Sequence, residues 1–271
     1  MKTSLITGAT DGIGRETARQ LLALGFRVLV HGRTPEKARR TAEDLARLPP
    51  AGEVAVVYGD LAQMPEVAAL AEQVKMQAPT LDVLINNAGV FEHERRLTAD
   101  GFERTMAVNH FAPFLLTWTL LPAMKAAPEG RVITVSSIAH ENVSLHLDDL
   151  TFARRYSGYG AYAASKLANV LFTRALARRL ARTAVTANCL HPGVIDTKLL
   201  RSGFGIGGAS VTAGAGTSVY LASSNEVRRV SGQYFVDCRV KRPSRIARDD
   251  ALAETLWRIS EELLQPFLPT L

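Results

Sequence analysis

The chain has 271 residues, 47% of them hydrophobic and 21% charged, so it can bury a sizeable core and is not a disordered polymer. Its net charge of +6 is carried by scattered arginine pairs such as Arg39-Arg40, Arg95-Arg96 and Arg228-Arg229 rather than a basic block, which argues against a nucleic-acid partner. Two distant cysteines, Cys189 and Cys238, argue against a disulfide framework or zinc cluster, and six histidines at no recognised ligand spacing leave no metal site to expect.

Taken in chain order, short runs rich in β-branched residues fall at 4–7, 27–30, 53–58, 83–85, 131–135, 185–190 and 234–236. Near-continuous apolar runs of this kind suit parallel strands covered on both faces. Helix signals open the segments between them. Thr34-Pro35-Glu36 offers an N-cap, a proline at the first helical position and an acid in the first turn, and Met64-Pro65-Glu66 repeats the last two. The βαβ repeat predicts a single α/β domain over 1–271 of Rossmann type: a doubly wound, mostly parallel seven-stranded sheet with helices on both faces and a ligand crevice at the carboxyl ends of the strands. Six glycines between 203 and 216 predict a mobile loop leading into a helix. The longest apolar run, 111–124, is interrupted by Pro113, Thr117, Thr119 and Pro122, so no membrane span is expected. A strand beginning close to Met1 leaves no room for a signal peptide, and a cytoplasmic location is the expectation.

The first strand runs into Thr7-Gly8-Ala9-Thr10-Asp11-Gly12-Ile13-Gly14 and then a helical pattern. Gly8 permits a tight turn, Gly12 lets the backbone approach a pyrophosphate, and Gly14 lets the helix pack on the strand, while the helix N-terminus offers free N–H groups. Three residues separate the first two glycines, which differs from the usual dinucleotide fingerprint. At the end of the second strand an NAD enzyme would place an acid for the ribose hydroxyls. Gly32 stands there instead, followed by Arg33, whose guanidinium suits a 2′-phosphate. This favours NADP(H), with NAD(H) as the lesser choice; Asp11 in the turn argues mildly the other way, and Arg33 also reads as a solvated turn residue.

Tyr162 and Lys166 stand four residues apart on one helix face. A free phenol titrates near pH ~10, and a neighbouring ammonium favours its phenolate, which makes the pair a proton shuttle near neutral pH. With the glycine turn, Asp60-Leu61, Asn86-Asn87-Ala88-Gly89, Asn109, Ser136-Ser137 and Pro192-Gly193, all in the same order across residues 1 to about 260, the sequence resembles the short-chain dehydrogenase/reductase family. The resemblance implies that Tyr162 is the general acid/base, that Lys166 lowers its pKa and bonds the nicotinamide ribose, that Ser137 holds the substrate oxygen, and that Asn109 kinks its helix and anchors a proton-relay water. It further implies a cofactor site built from Gly8, Thr10, Asp11, Gly12, Ile13, Gly14, Arg33, Asp60, Leu61, Asn87, Ala88, Gly89, Tyr162, Lys166, Pro192, Gly193 and Thr197, with Asn86 structural. Taken singly, Ser137 also reads as a strand-end hydroxyl and Asn109 as a satisfied polar group on a helix.

Val108-Asn109-His110-Phe111, Ser137-Ile138-Ala139-His140, Ser165-Lys166-Leu167-Ala168-Asn169 and Tyr234-Phe235-Val236-Asp237-Cys238 resemble the retinol dehydrogenase-like and protochlorophyllide reductase-like branch. That branch shares the long segment between Ser137 and Tyr162, whose aromatics either wall a pocket for a large apolar substrate or pack as an ordinary loop. A substrate lid is expected around 194–213 and a C-terminal extension over 238–271. The helix from 161 to 181 is apolar around much of its circumference; beyond the sheet it either meets a neighbouring subunit, giving a homodimer or homotetramer, or is buried under the preceding helix of its own chain. The function expected is an NADP(H)-dependent oxidoreductase interconverting a ketone or aldehyde and its alcohol. The alternative is a non-catalytic NAD(P)-binding sensor, which would have no need of both Tyr162 and Lys166. The expected absence of a membrane segment separates the chain from eukaryotic retinoid enzymes and argues against retinol itself.

Overall fold

The computed structural model describes residues 1–47 and 52–269. β1 (Thr3–Ile6) leads into α1 (Gly12–Ala23), β2 (Arg27–Gly32), α2 (Pro35–Ala46), β3 (Glu53–Tyr58), α3 (Met64–Gln77) and β4 (Val83–Asn86). The two proline-opened segments are helices as expected, and Thr34 caps α2 through Lys37 N–H. A short α4 (Arg104–Met106) runs through a π-helical turn (Ala107–Phe111) into α5 (Ala112–Lys125). β5 (Arg131–Val135), α6 (Gly158–Arg179), β6 (Thr186–His191), α7 (Lys198–Phe204), α8 (Val211–Ser223), β7 (Tyr234–Val236), β8 (Arg239–Lys241) and α9 (Asp250–Leu264) complete the chain.

The strand order is β3-β2-β1-β4-β5-β6-β7-β8, parallel from β3 to β7. Order reverses between β1 and β4, which fixes the ligand crevice at their carboxyl ends. β4 and β5 are buried along their whole length, hence their continuous apolar character. One apolar core lies under α3, α5, α6 and α9, the other under α1, α2 and α8.

Two expectations need correction. The sheet of the described residues has eight strands, not seven. β8 pairs antiparallel with β7 through a tight turn in which Asp237 and Cys238 both have positive φ, 49° and 59°. Arg239-Val240-Lys241 is exposed throughout, so it carries no apolar signal, and its two charges suit an unpaired sheet edge. The six glycines of 203–216 also do not form one loop: Gly203 lies in α7, and Gly214 and Gly216 lie in α8. A Cβ on Gly214 would stand 2.7 Å from Ile195, so the glycine there serves close packing rather than mobility.

The outer face of α6 is covered by the chain's own α9. Trp257 stacks on Phe172 at 5.8 Å between ring centroids and lies 4.8 Å from Phe114, and the Arg179 guanidinium sits 4.0 Å over the indole. Asp250 pairs with Arg174 and Arg178, and Glu254 with Arg178 and Arg179. The helix that covers α6 is thus the C-terminal α9, not the preceding helix that the sequence suggested as the alternative to a subunit contact. No helix among the described residues is long and apolar enough to cross a membrane.

Candidate active site

The turn after β1 is shaped by glycine and pinned by side chains. Gly8 and Gly12 have φ of 64° and 54°, a conformation that costs residues with a Cβ. A Cβ on Gly14 would lie 2.4 Å from Gly8 O, so the start of α1 can sit against the turn only as glycine. Asp11 caps α1, accepting from Gly12 N–H at 2.8 Å. Asn87 Nδ2 donates to Thr7 O at 2.8 Å, and Thr7 Oγ1 accepts from the N–H groups of Asn87 and Ala88. Asn86, expected to be structural, faces the helix side and donates to Thr117 Oγ1.

His31 completes this frame. Gly8 N–H donates to its Nδ1 at 3.0 Å, so Nε2 carries the hydrogen and donates to Gly59 O at 3.0 Å. One imidazole thus ties the ends of β1, β2 and β3 under the glycine-turn end of the cleft. Burial pulls its pKa down to about 4, so it is neutral.

A cavity of about 690 Å³ runs from this turn to α6. It is lined by Gly8, Thr10, Asp11, Gly12, Ile13, Gly14, Arg33, Asp60, Leu61, Asn87, Ala88, Gly89, Ser137, Tyr162, Lys166, Pro192, Gly193 and Thr197, which are all the expected site residues except Asn109. Arg33 is exposed at its rim with Lys37, a second cation not foreseen. Asn109 stands behind Gly89: a Cβ there would lie 3.4 Å from Lys166 Nζ and 3.5 Å from Asn109 Oδ1, so both groups approach the same small space.

At the far end, Ser137 follows β5, its Oγ accepting from Ala139 N–H. His140 accepts Ser244 N–H at Nε2 and therefore donates from Nδ1 to Ser137 O at 2.7 Å, fixing the backbone that presents the serine. Tyr162 is only 7% exposed, enclosed by Phe91 and Phe204 at 5.7 and 5.6 Å between ring centroids. Burial pushes its phenol up to about 12, opposed by the neighbouring Ser137 hydroxyl. Lys166 Nζ donates to Val135 O at 3.0 Å and lies 5.5 Å from the Tyr162 ring centroid; burial pulls its ammonium down to about 8. The phenol is therefore shifted opposite to the direction that its spacing from Lys166 suggested, because its own burial dominates.

The segment 194–213, expected as a lid, has a defined frame. Its base is closed where Ala209 N–H donates to Val194 O and Asp196 N–H to Ala209 O. Thr197 caps α7, and Lys198 reaches back across the cleft to Asp11 at 2.9 Å. Phe204, at the other end of α7, rests on Tyr162. Of the aromatics between Ser137 and Tyr162, Tyr159 lines the cavity, whereas Tyr156 is turned away and donates to Glu92 O.

The short chain dehydrogenase family model matches residues 2–205. Retinol dehydrogenase 14 of Homo sapiens is 40% identical over 97% of this chain and 86% of that protein. Retinol dehydrogenase 13 of Homo sapiens is 39% identical over 97% and 84%. Among solved structures, a protein from Mycobacterium paratuberculosis has a TM-score of 0.82 at 35% identity, over 100% of this chain and 96% of that one. A protein described as an NAD(P) dependent gluconate 5-dehydrogenase from Beutenbergia cavernae, with bound NADP, has a TM-score of 0.70 at 28% identity, over 87% and 94%. The chain belongs to the short-chain dehydrogenase family of oxidoreductases, on its retinol dehydrogenase-like branch.

Proposed function

We propose that the protein is an NADP(H)-dependent oxidoreductase that interconverts a ketone or aldehyde and the corresponding alcohol, with Tyr162 as general acid/base. The observation that carries this reading is the convergence of Ser137, Tyr162 and Lys166 on the cleft that the glycine turn opens. The turn fits a dinucleotide, because Gly8, Gly12 and Gly14 leave bare backbone where side chains would fill the cradle. When bound, the nicotinamide supplies or accepts the hydride at the reacting carbon.

The remaining work falls to this chain. Ser137 Oγ, lining the same cavity as the phenol, is placed to hold the substrate oxygen. In reduction the Tyr162 hydroxyl gives its proton to that oxygen; in oxidation the phenolate takes it back. The raised pKa keeps the phenol protonated at neutral pH, and the nearby Lys166 ammonium favours the phenolate left behind. Phe204 and the lid exclude water from the reacting atoms. The space beside Gly89, shared by Lys166 and Asn109, suits a water that restores the proton.

The preference for NADP(H) is supported by Arg33 and Lys37 at the rim and by glycine where an acid would bond ribose hydroxyls. Asp11 is a weaker counter-argument than its charge suggests, since Lys198 neutralises it. Phe91, Leu199 and Phe204 around Tyr162 favour a large apolar carbonyl, in keeping with relatives named retinol dehydrogenases. A cytoplasmic homo-oligomer belongs to the same proposal, its subunit contact lying away from the face of α6 that α9 covers.

The test is a panel of all-trans-retinal, benzaldehyde, cyclohexanone and decanal, followed by NADPH and NADH consumption, with cofactor affinity read by fluorescence. Tyr162→Phe is expected to lower turnover by about 10²- to 10⁴-fold while still binding NADPH; parental turnover in that variant would overturn the mechanism. Arg33→Asp is expected to weaken NADPH binding by about 10- to 100-fold and to reverse the preference. An unchanged NADPH/NADH ratio would remove Arg33 from the site.

A further inference from the structure

Asn109 lies in the π-helical turn Ala107–Phe111, a geometry that is rare because it inserts one residue into the helix. Absorbing that residue into regular helix would rotate the turn by about 100° relative to α5. Something outside the turn must therefore hold it. On one side, Asn109 Oδ1 accepts Val90 N–H at 2.8 Å, and its Nδ2 donates to Val90 O at 3.1 Å and to Ser165 Oγ at 2.9 Å. Ser165 Oγ in turn donates to Tyr162 O at 2.7 Å.

The other side is held from 150 residues further along the chain. His110, 1% exposed, places Nε2 at 2.9 Å from Ser260 Oγ on α9. The Ser260 hydroxyl hydrogen is committed to Leu256 O at 2.8 Å, so its oxygen accepts and His110 Nε2 donates. The bond fixes the imidazole in one tautomer, and Nδ1 has no partner among the described residues. His110 Nε2–H has no other anchor among the described residues, so losing Ser260 Oγ releases this side of the turn. Asn109 and His110 are thus adjacent residues pinned to different elements, and together they clamp the turn.

We propose that Ser260 of α9 is a positioning residue which, through His110, holds the π-helical turn that presents Asn109 to the catalytic cleft. The C-terminal helix, beyond the 2–205 segment that the family model matches, is on this view part of the catalytic framework as well as of the core. The inference rests on the proposed role of Asn109 in proton relay.

The experiment compares Ser260→Ala, His110→Phe, Asn109→Ala, the double variant Asn109→Ala/Ser260→Ala, and Trp257→Phe, which loosens α9 without touching the His110 bond. Turnover of the fastest carbonyl of the panel, NADPH affinity and thermal stability are measured, with amide hydrogen exchange of residues 107–111 in the apoprotein. Ser260→Ala and His110→Phe are expected to lower kcat by about ten- to hundredfold with NADPH affinity unchanged and exchange in the turn accelerated. The double variant should be no slower than Asn109→Ala alone, since residues acting through one another are not additive. Trp257→Phe should melt lower yet keep its kcat and its exchange in the turn. Parental kcat in Ser260→Ala alongside a slow Asn109→Ala would overturn the proposal and leave the mechanism standing. So would loss of kcat in Trp257→Phe in step with its stability. Parental kcat in Asn109→Ala would instead overturn the relay reading on which the proposal rests. Should Ser260→Ala fail to fold, His110→Phe decides, because Ser260 keeps its bond to Leu256 in that variant.

Discussion

At the scale of single residues, the site depends on buried polar groups whose protonation is set by their partners. His31 can accept from Gly8 only while Nδ1 is bare, so a second proton would face the Gly8 N–H directly. Its pKa is about 4 in the folded protein and near 6.5 in an unfolded chain. The unfolded state therefore binds the proton first, and this histidine's contribution to stability is complete above pH 6.5 and lost as pH falls towards 4. Between pH 7 and pH 5 the expected loss is about 2 kcal/mol. Denaturant titrations at the two pH values should show the parent losing that much more stability than His31→Gln. Equal losses would mean that the imidazole does not hold the turn. Lys166 combines two requirements in a similar way. Its bond to Val135 O satisfies a buried amine, and its pKa of about 8 leaves it charged at neutral pH yet close to titration.

At the scale of elements, Tyr162 and Lys166 stand within the regular helix α6, whereas several other groups of the site are presented by a helix end or an interruption of regular structure. Ser137 caps a 3-10 turn after β5, Thr197 caps α7, Asp11 caps α1, and Asn109 occupies a π-helical turn. Helix ends leave N–H groups free for ligands or caps, so chemistry collects there. α9 shows how much an element outside the cleft can contribute. Its Trp257 closes a stack with Phe172 and Phe114, and Trp257→Ala should cost about 3–5 kcal/mol, read as a fall in denaturation midpoint. A loss under about 1 kcal/mol would mean that α9 packs only loosely on α6.

At the scale of the whole molecule, the parallel sheet reverses order between β1 and β4, and the cleft follows from that topology. The strands, the glycine turn and the pairing of Tyr162 with Lys166 were legible in the sequence because each is a local pattern: apolar period, bare backbone, helical spacing. β8 was not, because Arg239-Val240-Lys241 is exposed and its turn uses Asp237-Cys238 rather than glycine. His31, Lys198 and Ser260 were not, because their partners lie 23 or more positions away and no spacing rule links them. The layered α/β fold and the chemical groups available for a nicotinamide-type reaction follow from the residues alone, since those depend on short-range sterics and burial. Which polar atoms satisfy one another, how far burial shifts Tyr162 and Lys166, and that α9 covers α6 emerge only in the folded chain. Hydrogen bonding and desolvation in a folded interior depend on groups brought together from distant positions, and local pattern carries no record of them.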